Sequence, residues 1–321
     1  MTDTTNPVDE AQAFIDRQIR LEIPVPLHRP DWLQARVPYF NASSAAVLFE
    51  RHQFQTAAEY AVEKLTGDTS DDGQTSAMRR GQFLEDGVAE WWAHETGVQV
   101  QTVPVMYACG RILANVDRVD LTRERPVEIK TVSRHVDEPS QYWLDQCQAV
   151  MLCYGDGGAD VMDLVWVDSS MTLQHQEVDA DPVFQAELLR RAEKFMAAID
   201  MGMVPDWITP TLSAAHVSAL YPDPAGAVEL GDDGGELIQR FTELKVKAKQ
   251  IDAELDEIKD EITRRLGDHD TGLWDGVEVV TFKAPKAGSV IDAAALEADH
   301  PDIYRQYLKQ KRAGRRFVPK L

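Results

Sequence analysis

Apolar and polar residues alternate along Val127-Glu128-Ile129-Lys130. A period of two predicts a strand with Glu128 and Lys130 on one face and Val127 and Ile129 on the other. Just upstream, Ile112-Leu113-Ala114-Asn115-Val116 reads as an apolar strand running into Asp117, and the polar turn between them lets the two pair as a hairpin. Val98–Ala108 reads as a further strand, turned at Gly110, so the region predicts a three-strand meander. Gln141–Tyr154 has the pattern of an amphipathic helix ended by GDGG, and Asp160–Val167 is the continuous apolar run of a buried strand. Further helices are predicted over Glu10–Leu21, Thr56–Leu65, Ser76–His94 (stopped by Gly97) and Asp181–Met201. Pro24, Pro26 and Pro30 force an extended segment before a short helix, DWLQAR, capped by Asp31, with Trp32 and Arg36 four apart on one face. Asn41, Ser43 and Ser44 suit the N-terminus of an apolar helix beginning at Ala45–Phe49, and 67–76 reads as an exposed loop. Trp91 and Trp92 follow the apolar face of their helix and read as core. Helices, a meander, a helix, a strand and a helix in that order make a mixed α/β core.

Beyond Pro205 and Pro210 the pattern changes. YPDPAGAVELGDDGG has linker composition, and from Glu236 to Leu266 apolar residues recur at intervals of three and four: Phe241, Leu244, Ala248, Ile251, Leu255, Ile258 and Ile262. That is the seam of a bundle or coiled coil, and it needs a partner surface. WDGVEVVTFKA reads as a hairpin with a DG turn, and short helices follow at Asp292–Asp299 and around Tyr304–Lys309. The division expected is a core over 1–212, a linker over 213–234 and a C-terminal helical arm with a hairpin and basic tail over 235–321.

Composition narrows the class. The 321 residues are 44% hydrophobic and 27% charged, as in a soluble globular protein. No apolar run approaches the roughly 20 residues of a membrane span, and the polar, acidic start shows no signal or transit peptide, which makes the cytoplasm the default location. A net charge of −21 argues against nonspecific coating of nucleic acid, although it leaves room for a local grip on a few phosphates. The charge is uneven: from Arg305 onward the tail carries Arg305, Lys309, Lys311, Arg312, Arg315, Arg316 and Lys320 and no acid. Cys109, Cys147 and Cys153 lack the spacing of a disulfide framework or zinc site and read as small buried hydrophobes.

The chemistry concentrates around the alternating strand. A carboxylate and an ammonium two residues apart on one face can hold a divalent cation and a phosphate side by side, and Asp117 supplies a second carboxylate across the hairpin. Hard oxygen ligands beside a cation are what a metal-dependent phosphodiesterase needs. As a bare pattern this spacing also occurs on solvated strand edges. Its neighbours strengthen it: Arg79-Arg80-Gly81 with Glu85 one turn later upstream, and Gln146 and Gln148 on the helix downstream. If Gln146 faces the site, Val150 and Cys153 share its helical stripe and Gln148 points elsewhere; only one of the two glutamines can then reach the site, and Gln146 is preferred.

Taken together, Trp32 and Arg36, Ala42-Ser43, Gly81 and Glu85, Asp117 in ANVDR, Glu128 and Lys130 in VEIK, and Gln146 and Gln148 in WLDQCQ resemble, in order and spacing, the phage-type recombination nucleases of the lambda exonuclease and YqaJ-like families, within the PD-(D/E)xK superfamily. The likeness covers roughly residues 30–205; Val116 stands where those proteins usually carry proline. It implies a restriction-endonuclease-like α/β core, here with a C-terminal long helix and small α+β extension. It also implies hydrolysis of DNA, 5′ to 3′ from duplex ends, with one or two Mg²⁺ or Mn²⁺ ions held by Asp117, Glu128, the Ile129 carbonyl and Glu85. Lys130, Glu128, Asp117, Glu85 and Gln146 become the catalytic set, Arg36 and Ser43 the seat of the 5′-phosphate, and Arg79 and Arg80 backbone contacts. A single-strand annealing protein and a homo-oligomeric ring, such as a trimer, are the partners such a nuclease implies. A RecB-like nuclease of other polarity and a non-catalytic DNA-end or partner-binding scaffold on the same fold stay open as alternatives.

Overall fold

The computed structural model describes residues 6–67, 75–284, 291–308 and 317–318, and the chain divides into two units, Met1–Tyr221 and Pro222–Leu321. The first unit opens with α1 (Pro7–Ile15), β1 (Arg20–Pro24), α2 (Arg29–Arg36), β2 (Phe40–Asn41) and a 3₁₀ helix, Ala42–Phe49. Next come α3 (Ala57–Thr66), α4 (Ser76–Thr96), β3 (Val100–Gln101), β4 (Val105–Cys109), β5 (Ile112–Ala114), β6 (Arg118–Asp120) and β7 (Arg125–Thr131). The unit ends with α5 (Gln141–Cys153), β8 (Val161–Val167), β9 (Leu173–Asp179), α6 (Pro182–Asp200) and α7 (Ala214–Leu220). It is the mixed α/β class expected, with small mixed sheets flanked by helices.

Five strands in the order β3-β6-β7-β8-β9 carry the site, antiparallel except for the β7/β8 pair. A parallel pair needs a crossover, and α5 is that crossover. Val127 and Ile129 of β7, with Val165 and Val167 of β8, pack on Val88, Ala89 and Trp92 of α4. The opposite face meets α5, whose residues from Cys147 to Cys153 are all buried because it is also packed against β4, β5 and the 3₁₀ helix. A second sheet, β1-β4-β5-β2, stands beyond α5. Gly110 turns β4 into β5 at a φ of 55°, a conformation glycine adopts without steric cost. All three cysteines are free and buried.

Several elements depart from the sequence expectation. The helix expected over Glu10–Leu21 stops at Ile15, because Arg20–Pro24 pairs with β4 instead. His28, rather than Asp31, is the N-cap of α2, with Pro30 and Asp31 inside its first turn. The expected strand Val98–Ala108 is two strands in different sheets, broken ahead of Val105 at Pro104, which has no N–H to donate. The meander is therefore two hairpins, β4–β5 and β6–β7, one in each sheet. The segment after Ala42 is 3₁₀ rather than α. Trp92 is core, but Trp91 is 36% exposed. Strand β9, largely polar on an edge, was not expected at all. Most of the 67–76 loop lies outside the described residues.

In the second unit α8 (Gly231–Leu266) precedes β10 (Thr271–Trp274), β11 (Val277–Thr281), α9 (Ala293–Asp299) and α10 (Pro301–Tyr307). Asp275 and Gly276 both have positive φ, the two-residue hairpin turn read from the DG pair. Arg305 lies in α10; the other basic residues of the tail, Lys309 to Lys320, lie outside the described residues. Among the described residues no helix is long and apolar enough to cross a membrane.

Candidate active site

The β6–β7 hairpin builds the centre. Arg118 pairs with Val127, which leaves Asp117 one step ahead of β6, and its Oδ2 accepts the Ile129 N–H at 2.9 Å. The carboxylate thus completes the ladder of the strand that carries Glu128 and Lys130. On the face toward α5, three side chains form a closed ring: Lys130 Nζ donates to Glu128 Oε1 (2.6 Å) and to Gln146 Oε1 (2.9 Å), and Gln146 Nε2 donates to Glu128 Oε1 (2.5 Å). Glu128 is 2% exposed, and its Oε2 has no hydrogen-bond partner among the described residues. From α4, Glu85 accepts from Arg118 Nη1 at 2.6 Å, and the same guanidinium bonds Asp86 and the Asp117 carbonyl.

The charges are poorly solvated. Burial, then the Asp117 charge, pushes the Glu128 carboxyl up to about 7 against the pull of Lys130. Burial raises Asp117, and burial and Asp117 together raise Glu85. Burial alone would lower the Lys130 ammonium, but Glu128, Tyr142 and Asp117 hold it above the usual lysine value. Glu85, Asp86, Asp117 and Glu128 outnumber Lys130 and Arg118, and in low dielectric that surplus favours a further cation.

Among the described residues no group of three or more His, Cys, Asp or Glu is placed so that it could hold a metal ion. A magnesium-type ion needs less, since it keeps several waters and binds through one or two carboxylates. The unpartnered, buried Glu128 Oε2 beside Asp117 fits that open type of site.

A cleft of about 300 Å³ gathers the separate segments: Trp32, Arg36, Ala42, Ser43, Gly81, Glu85, Asp117, Glu128, Ile129, Lys130 and Gln146 all line it. Arg36 stacks over the Trp32 ring at 4.0 Å, the i to i+4 contact read from the sequence. Its Nε donates to Asn41 Oδ1 (3.2 Å), its Nη2 lies 3.5 Å from Ser43 Oγ, and burial lowers its pKa. Gln148 turns away: its Nε2 donates to the Asp179 carbonyl, and its Oε1 accepts from Asp181 N and Gln185. Arg79 is exposed and is not among the cleft residues; Arg80 Nη2 reaches the Thr131 carbonyl at 3.4 Å. Sequence reasoning missed Arg118, which organises Glu85. Alternation along β6 sets it apart from Val119, but only the placement of α4 supplies its partners.

This arrangement defines the class: a mixed α/β core whose central hairpin presents two carboxylates and a lysine to a cleft closed by helices. Residues 31–155 match the model of the YqaJ-like viral recombinase domain. The uncharacterized protein YqaJ of Bacillus subtilis (strain 168) is 21% identical over 306 residues, covering 91% of this chain and 94% of that protein. Among solved structures, an alkaline exonuclease (LHK-Exo) from Laribacter hongkongensis aligns at 20% identity with a TM-score of 0.45, covering 57% of this chain and 97% of its own. A phage related exonuclease from Haemophilus somnus 129PT aligns at 12% identity with a TM-score of 0.39, covering 55% and 96%.

Proposed function

We propose that this protein is a metal-dependent DNA exonuclease that hydrolyses phosphodiester bonds from duplex ends in the 5′ to 3′ direction. The observation that carries the reading is the single cleft in which Glu85, Asp117, Glu128, Lys130 and Gln146 meet Arg36 and Ser43. The match of residues 31–155 to the YqaJ-like viral recombinase domain supports it.

Asp117 and Glu128 would hold the ion, with Glu85 and the Ile129 carbonyl beside them. When bound, Mg²⁺ or Mn²⁺ supplies Lewis-acid activation of water and of the phosphoryl group. Lys130, fixed between Glu128 and Gln146, stays charged and offsets the negative charge that builds on the phosphoryl oxygens. Gln146 holds that lysine in place, and its amide spans the ring to Glu128. Arg36, without a carboxylate partner among the described residues, presents its guanidinium with the Ser43 hydroxyl to a terminal phosphate. The substrate is a duplex end, and the product strand suits a single-strand annealing protein as partner. A ring of copies would keep the enzyme on its substrate.

The test is digestion of a linear duplex labelled at the 5′ or the 3′ end, with Mg²⁺, Mn²⁺ or EDTA. The reading expects metal-dependent release of the 5′ label as mononucleotide, and none from Lys130→Ala. Release of the 3′ label first would reverse the polarity. End binding without cleavage in any metal would leave a scaffold instead of an enzyme.

A further inference from the structure

Beside the cleft, three rings from two elements form a cluster that the mechanism does not use. His52 and Phe54 come from the loop between the 3₁₀ helix and α3, and Tyr142 from the first turn of α5, one turn before Gln146. The His52 ring meets Tyr142 edge-on at 4.7 Å, and Phe54 meets Tyr142 at 6.2 Å and His52 at 6.3 Å, both near perpendicular. Tyr142 lies one helical turn before Gln146, whose amide oxygen accepts from Lys130, so the cluster adjoins the catalytic ring.

The loop carrying it is anchored rather than loose. Arg51 pairs with the buried Asp145 of α5 at 3.2 Å, Arg134 donates to Gln53 at 3.2 Å, and the Phe54 N–H donates to His52 Nδ1. Yet Phe54 is 78% exposed. A lone exposed phenylalanine needs no explanation. One held in place by two rings, on a loop anchored through Arg51 and Arg134, has the make-up of a single-strand contact, where aromatic faces stack on bases.

We propose that the His52–Phe54–Tyr142 cluster is a stacking site for an unpaired nucleobase of the strand whose scissile phosphate lies at Lys130. The proposal rests on the nuclease reading and adds to it a contact with a base. A base is the occupant favoured over a protein side chain because Tyr142 shares its helical stripe with Gln146, which bonds Lys130, and this puts the cluster within reach of a strand bound at that lysine. Stacking reads no sequence, which suits an enzyme that must accept every base.

The test uses the full chain in EDTA with a single-stranded oligonucleotide carrying one 2-aminopurine. The wild type should quench its fluorescence. Phe54→Ala should weaken Kd about tenfold and abolish the quenching, the loss of roughly one base–aromatic stack, and Phe54→Trp should restore both. Hydrolysis of methyl 4-nitrophenyl phosphate with Mn²⁺, which carries no nucleobase, should stay within about twofold in Phe54→Ala. An unchanged Kd and quench in Phe54→Ala would overturn the stacking site and leave the nuclease standing. Failure of the wild type to release nitrophenol or to digest DNA would sink the nuclease reading, and with it the placement of a base beside a scissile phosphate.

Discussion

Strand β7 and its neighbours bury two acidic groups in very different ways. Asp163, on β8 opposite Val127, is fully buried and uses both oxygens: Arg125 binds it through Nε (2.7 Å) and Nη2 (3.0 Å), His175 Nε2 lies at 2.5 Å and Arg123 at 3.5 Å. Glu128, one rung along, has one oxygen shared by Lys130 and Gln146 and the other without a hydrogen-bond partner among the described residues. The first carboxylate is compensated by the protein itself, as a structural ion cluster must be. The second is left short of positive charge inside the fold, which is useful only if something else supplies it. Burial alone therefore does not mark a site; an unfilled oxygen beside a lysine does.

The sharpest way to break this contrast is to exchange the outcomes. Lys130→Ala and Glu128→Ala should each lower cleavage by at least about 10³-fold with a native circular dichroism spectrum. Asp163→Ala should do the reverse: a loss of about 3 kcal/mol in urea unfolding, since it removes a fully buried ion cluster and leaves the half-buried Arg125 with Glu177 alone, with activity per folded molecule little changed. If Asp163→Ala loses activity and keeps stability, the two clusters have been assigned the wrong way round.

Arg36→Ala should reduce digestion of 5′-phosphorylated ends about 10- to 100-fold more than that of unphosphorylated ends, read as a ratio of kcat/KM values. Equal losses on the two substrates would take the end-reading role from it.

Metal and pH sharpen the comparison further. Mg²⁺ should raise the Tm of the wild type and leave that of Glu128→Ala unmoved, because only the former gains a ligand in the folded state. In EDTA the raised Glu128 carboxyl makes the folded state bind more protons than the unfolded one. Its contribution to stability is fully present below about pH 4.5 and is lost as pH rises through about 7. Glu128→Gln should flatten that slope and melt higher than the metal-free wild type at pH 8. A slope that survives the substitution would assign it to another group.

Part of this was legible in the chain. Alternation separated Glu128 and Lys130 from Val127 and Ile129 because a half-buried strand has no other way to present four such residues. The helical stripe chose Gln146 over Gln148, and the structure sends Gln148 to Asp179 and Asp181. What was hidden depends on partners distant in sequence. Leu173–Asp179 has too few apolar residues to look like a strand, and it becomes one because β8 offers it an edge. Arg20–Pro24 is drawn out of a helical pattern by β4. Arg118 looked like an ordinary residue next to Asp117 until α4 brought Glu85 and Asp86 to its guanidinium.

The crossover through α5 also sets an order of events. Val127 finds Asp163 only after the whole of α5 has been laid down between them, whereas Arg118 finds Val127 across a short turn. Loop-closure entropy makes the local pairing fast and the parallel pairing slow. During refolding, Asp117 should reach the Ile129 amide before β8 docks. Pulsed hydrogen exchange would then show the Ile129 amide protected ahead of the β8 amides, with the acidic half of the cleft shaped early and the β7/β8 sheet closing last.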